Sequence, residues 1–262
     1  MARRVERSIL AAVPSTPIEL DAALEVTRTG DIWLFRGSSV ADRAIRVTTN
    51  SPVNHVGMSV VLDDLPPLMW HAELGRSLPD MWTGTHQRGV QLHDLRDAAV
   101  VWANRYGQRG WLRQLDTPIS REMEDGVLRA IARLDGTPFP STTRMASRWV
   151  LGRVPRPDRL PRLERPGRGQ PNGVRWIPGS ARLPRLARRP RTPAESAELE
   201  TAYCAEVVAL TYQLMGLLPG DRRPSYYDPG RFWSGDELEL APGYRLGGEI
   251  PINIPPANPK RA

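Results

Sequence analysis

Between Ser141 and Pro193 the chain carries 14 arginines against only two acidic residues, Asp158 and Glu164. The same stretch is thick with proline and glycine, as in "RVPRPDRLPRLERPGRGQPNGVRW" and "ARLPRLARRPRTP". Proline removes the N–H that helices and strand ladders need, and like charges repel, so this segment cannot supply a core layer. A folded body must therefore be assembled from two separated regions, one before the segment and one after it. The segment reads as an extended insertion. It is either a solvated spacer or a contact for anionic lipid headgroups or nucleic acid through Arg144 to Arg191. Outside it the chain has 22 basic and 27 acidic residues, so the net charge of +7 and pI near 10.2 belong to the insertion alone.

The 262 residues, 40% of them hydrophobic, suffice for one large domain or two small ones with a buried core. Cys204 is the single cysteine, so no internal disulfide can form. The N-terminal "MARRVERSILAAV" is interrupted by Glu6 and Arg7 before its short apolar run, which does not match a signal peptide. No run approaches the ~18 apolar residues of a membrane span, and a cytoplasmic location is the expectation. Phosphate-binding loops and dinucleotide-type glycine patterns are absent, and no cofactor is expected.

Residues 1–29 read as an N-terminal arm, in which "STPIELDAALEVT" suits a short helix capped by Ser15 or Thr16. "GDIWLFRG" is a strand signature between two glycines, "SVADRAIRVTT" has helical spacing, and "NHVGMSVVLDD" reads as a buried strand. "LMWHAELG", "GVQLHDLRD" and "AAVVWANRY" follow as three further short runs, most simply a β-meander. "SREMEDGVLRAIARLDG" predicts a helix with Ser120 as cap, acids in its first turn and Gly136 beyond its end. After the insertion, "AESAELETAYCAEVVALTYQLMGLLPG" carries a helical stripe through Ala205, Val208, Ala209, Tyr212 and Met215. "YRLGGEIPINI" reads as an edge strand bounded by proline, with 251–262 as a tail. The expected fold is α+β: an antiparallel sheet of five or six strands with the Cys204 helix on one face.

A thiol becomes nucleophilic when a helix N-terminus or an imidazole lowers its pKa. If the helix begins at Thr201, Cys204 stands in its first turn; if it begins near Ala194, the thiol is buried mid-helix. Four histidines are available: His55, His71, His86 and His93. If "HVGMSVVL" and "LMWHAELG" pair as antiparallel neighbours, His55, His71 and Glu73 share a sheet face, because strand side chains alternate. Thiol, base and orienting group together are the working set for acyl transfer. Tyr203, Trp33, Trp70 and Trp82 are candidates to line a substrate groove, or else core aromatics. A zinc site is not expected, since no Cys-x-x-Cys or His-x-x-x-His pair is present.

In order, "GDIWLFRG", "TTNSPVNHVGMSVVL", "LMWHAELG", "GVQLHDL", "LDGTPFP" and "YCAEVVALTYQLMGLL" resemble the circularly permuted branch of the NlpC-type papain-fold hydrolases, near the YiiX-like proteins and more distantly the lecithin:retinol acyltransferase group. The likeness covers about Gly30 to Ser141 and Thr201 to Phe232. It implies one papain-like domain over 30–250 interrupted by the insertion at 141–193. It further implies Cys204 as nucleophile, His55 as general base and His71 as third residue, with Glu73 as rival. The backbone N–H of Cys204 would be the oxyanion donor. Ala205 departs from the serine common after the family's cysteine. The implied substrates are small-molecule, peptide or lipid acyl compounds, cleaved or transferred by a thiol enzyme. The competing expectation is a non-catalytic papain-like module that binds anionic lipid or nucleic acid.

Overall fold

The computed structural model describes residues 16–37, 51–73, 77–138, 193–234 and 238–256, with the backbone alone for 193–202. The helix expected around 40–47 and the insertion up to residue 192 lie outside the described residues.

Seven strands form one sheet: β1 (Ile18–Glu19), β2 (Ile32–Arg36), β3 (His55–Val60), β4 (Leu68–Glu73), β5 (Gly89–Asp94), β6 (Arg109–Arg113) and β7 (Ile250–Asn253). Their order across the sheet is β1-β7-β6-β2-β3-β4-β5. All pairings are antiparallel except the parallel contact of β1 with β7. Among the described residues four α-helices flank it: α1 (Leu20–Val26), α2 (Leu95–Tyr106), α3 (Arg121–Leu134) and α4 (Pro193–Met215). The architecture is mixed α+β with an open sheet. No helix among the described residues is long and apolar enough to cross a membrane.

Both faces of the central strands are covered, which is why β3 and β4 are buried at every position. On one face Ile32, Leu34, Val56, Met58, Trp70 and Val90 pack with α3 and α4. On the other, Trp33, Phe35 and Met69 pack with α1 and α2. Continuous apolar strands under two helical layers follow the physics of doubly covered sheets. Helix α4 is pinned to its face by Trp70 Nε1 donating to Thr211 Oγ1 at 3.0 Å and by Tyr212 Oη donating to the Gly30 carbonyl at 2.6 Å.

The strand count exceeds the expected five or six because β1 and β6, neither read as a strand, join the sheet, while "AAVVWANRY" does not. Residues 18–26, read as part of an arm, form β1 and α1, and Leu20 and Ala23 are core. Helix α1 begins after Glu19, not at Ser15 or Thr16. Strand β7 reaches into the expected tail and is no edge: it lies between β6 and β1. Proline fits there because β1 pairs only with Ile252 and Asn253, leaving Pro251 without a partner on that side.

"AAVVWANRY" is helical, against the β-meander expectation. Asp94 caps α2 by accepting from the Asp97 N–H, and Gly107 closes it in the left-handed region at φ 62°. These local end signals outweigh a valine-rich run of strand character. Helix α3 starts and stops where its punctuation places it, with Ser120 Oγ accepting from Met123 N–H.

Candidate functional site

Strand alternation decides which side chains meet. His55 opens β3, His71 and Glu73 close β4, and His93 lies near the end of β5; all four stand on the face covered by α2. Met69 faces His93 directly across the ladder, and His71 faces Gln91. The "HVGM" glycine makes room for this row. A Cβ on Gly57 would come within 2.2 Å of Met69 Sδ and 3.4 Å of His71 Cβ.

The histidines form a hydrogen-bonded row. His55 Nε2 lies 3.1 Å from His71 Nδ1, and His71 Nε2 lies 3.1 Å from His93 Nδ1. Glu73 Oε2 stands 3.8 Å from His93 Nδ1, while its Oε1 accepts from Ser77 Oγ at 3.2 Å. Trp102 of α2 roofs the row edge-on, its ring centroid 4.8 Å from that of His55 and 4.9 Å from that of His71. His55 keeps 7% of its surface exposed and the other two rings keep none, so the row runs inward from the surface.

Burial governs the charge state of the row. It pushes His55 down to about 3 and His93 to about 4, and it holds His71 well below the usual imidazole range. Positive charge on His93 would further oppose charging His55 and His71. Burial raises Glu73, offset in part by Ser77 and Trp102. Three neutral imidazoles own one N–H each, so the row has only two consistent polarities. Either His55 donates to His71 and His71 to His93, or every donation runs the other way. The first leaves the His55 Nδ1 lone pair able to take a proton, and the second does not.

No protein-family profile and no curated protein matches the chain. Among solved structures it is similar to YiiX from Escherichia coli O157:H7, a metalloprotein, at 22% identity and a TM-score of 0.33. The likeness covers 44% of this chain and 54% of YiiX, about half of that protein's length.

The structure thus brings together His55, His71 and Glu73, and adds His93, to which the sequence reading gave no role. Cys204 lies in the core layer of α4. Helix α4 begins at Pro193, so Cys204 is mid-helix rather than in a first turn, and its side chain is fully buried in the core layer under α4. A backbone N–H at that depth is engaged by the carbonyl four residues earlier, which takes it out of the oxyanion role in this conformation. Trp33 and Trp70 are fully buried on opposite faces, Tyr203 is buried beside Cys204, and Trp82 is exposed. These four line no common groove. His86 is exposed and stands outside the row.

The same row offers metal-ligand chemistry that the sequence spacing concealed. His71, Glu73 and His93 each present one ligand atom, all within 4.8 Å of one another. The set is split between two strands, so no short motif in the chain announces it.

Proposed function

We propose that the chain is a permuted papain-like hydrolase or acyltransferase acting on an amide, peptide or lipid ester bond. His55 is the base, and His71 fixes its tautomer. The observation that carries this function is the 3.1 Å hydrogen bond between His55 Nε2 and His71 Nδ1, the two histidines that the motif order singles out. With His55 donating from Nε2, its Nδ1 accepts the proton of the nucleophile as that nucleophile attacks the carbonyl carbon. His55 then returns the proton to the leaving group as its bond breaks. Water or an acceptor alcohol or amine releases the acyl group in the second half.

Cys204 is the nucleophile that the resemblance implies. Because its thiol is buried in the core layer of α4, catalysis through it requires that thiol to become accessible to substrate. That same burial favours a second function, a non-catalytic module in which Cys204 is packing and the arginine-rich insertion binds anionic lipid or nucleic acid.

Turnover of a panel of chromogenic esters and amides separates the two. Cys204→Ala and His55→Ala should each lower kcat by about 10²–10⁴-fold. Retained turnover in Cys204→Ala removes the thiol from the mechanism. If no variant or wild type turns over any acyl compound, while salt-sensitive binding to anionic vesicles or oligonucleotides survives Cys204→Ala, the second function stands.

A further inference from the structure

We infer that His71, His93 and Glu73 form a binding site for one divalent transition-metal ion of the zinc class, on the α2 side of β4 and β5. The spacing suits it: His71 Nε2 to His93 Nδ1 is 3.1 Å and His93 Nδ1 to Glu73 Oε2 is 3.8 Å. Zinc bonds of about 2.0–2.1 Å to imidazole and 2.0–2.2 Å to carboxylate put tetrahedral neighbours about 3.3 Å apart. The two rings therefore already stand at ligand separation, and Glu73 has only to swing its free oxygen inward.

Unsatisfied buried atoms point the same way. Among the described residues Glu73 Oε2 and both amide atoms of Gln91 have no hydrogen-bond partner. Gln91 and His93 are fully buried, and Glu73 is 5% exposed. Native interiors rarely leave polar atoms in this condition without a bound species. Ser77 engages Glu73 Oε1 and leaves Oε2, the atom facing the rings. Gln91, directly opposite His71, is placed to hydrogen-bond a fourth ligand such as water. Two imidazoles and one carboxylate select zinc and its transition-metal neighbours over magnesium or calcium, which favour all-oxygen sets.

The outer partner is also present. A histidine bound to metal through Nε2 carries its proton on Nδ1 and donates it to a neighbour, a contact that orients the ring. His71 has that neighbour in His55. On binding, the polarity in which His55 donates is reversed: His71 Nε2 gives up its proton to solvent, His71 Nδ1 takes the proton of His55 Nε2, and solvent returns one to His55 Nδ1, while His93 keeps its proton on Nε2 and Glu73 binds as the carboxylate. The His71 Nδ1–H then donates to His55 Nε2, which leaves the His55 proton on Nδ1 and abolishes its base function there. Metal therefore inhibits acyl turnover. That consequence rests on the function proposed above, whereas metal binding itself does not.

The test uses untagged full-length protein stripped with a chelator and titrated with Zn²⁺, and with Co²⁺ for its visible spectrum. One equivalent should bind, with tetrahedral cobalt bands, and Glu73→Gln and His93→Gln should each weaken binding about tenfold or more. X-ray absorption of the zinc form should give nitrogen and oxygen at about 2.0 Å and no sulfur at about 2.3 Å. Equal affinity in wild type and both variants, absence of stoichiometric binding, or a zinc–sulfur distance overturns the site. Should either variant fail to fold by circular dichroism, the absorption spectrum of the wild type decides, because imidazole scattering identifies the histidines. Zinc inhibition relieved by chelator supports the link to His55. Stoichiometric binding without any acyl turnover sinks the proposed function and leaves the metal site intact.

Discussion

His55 carries a cost that can be read in solution. The unfolded chain takes up a proton on this imidazole below its ordinary value of 6.5, while the folded metal-free protein resists until about pH 3. Protonation therefore favours the unfolded state, so the stability held above pH 6.5 declines as pH falls from 6.5 toward 3. At pH 5, about 1.5 units below the unfolded value, His55 alone costs about 2 kcal/mol, and His93, held to about 4, adds to the same trend. Urea denaturation of the chelator-treated protein at pH 7.5 and pH 5 should show this loss, and His55→Gln should flatten the profile. Equal stability at the two values would mean that the rings are charged or hydrated, and the neutral hydrogen-bonded row would not exist.

At the scale of elements, two helices approach backbone to backbone. Gly126 of α3 faces the α4 backbone, and a Cβ there would lie 2.7 Å from the Leu214 carbonyl oxygen and 2.9 Å from Met215 Cα. Backbone cannot yield as a side-chain tip can. Gly126→Ala gains up to about 1 kcal/mol of helix propensity but forces the helices apart, at about 1–3 kcal/mol of overpacking. Net destabilisation and a lower Tm are expected, and a raised Tm would show that α3 and α4 have room to spare. Helix α3 itself was legible in the sequence, because Ser120, its acidic first turn and Gly136 mark its ends locally. The strand character of β2, β3 and β4 was legible for the same kind of reason, as was the shared face of His55, His71 and Glu73. Three features were not. The apolar run of α2 has strand composition, and only Asp94 and Gly107 reveal the helix. Cys204 changed meaning because α4 extends upstream of Thr201, where nothing in the pattern forbade either start. His93 and Trp102 joined the site through a strand pairing and a helix docking, both long-range contacts that no local spacing encodes.

The whole molecule depends on a tie between the middle of the sheet and the chain's far end. Arg113, in β6, donates from Nε to the Gly247 carbonyl at 2.7 Å, from Nη1 to the Phe232 carbonyl at 2.5 Å and from Nη2 to the Leu246 carbonyl at 3.1 Å. Glu249 lies 3.5 Å from the same guanidinium and accepts from Ser234 through both oxygens. This one side chain holds the path between α4 and β7 against the sheet, and β7 in turn carries β1. Arg113 is buried, and desolvation presses its pKa below the usual guanidinium value, with Glu249 opposing the shift. Arg113→Met keeps much of the volume but strips three carbonyls of their donor and removes the guanidinium from beside the Glu249 carboxylate. Breaking a buried pair from one side costs about 3–5 kcal/mol, so the variant should lose that much by urea denaturation. Limited proteolysis should then cut first within residues 229–249 while the β2 to β5 core resists longer. If cleavage instead spreads evenly through the chain, Arg113 supports the sheet as a whole, and the terminal strands are not a separable layer of stability.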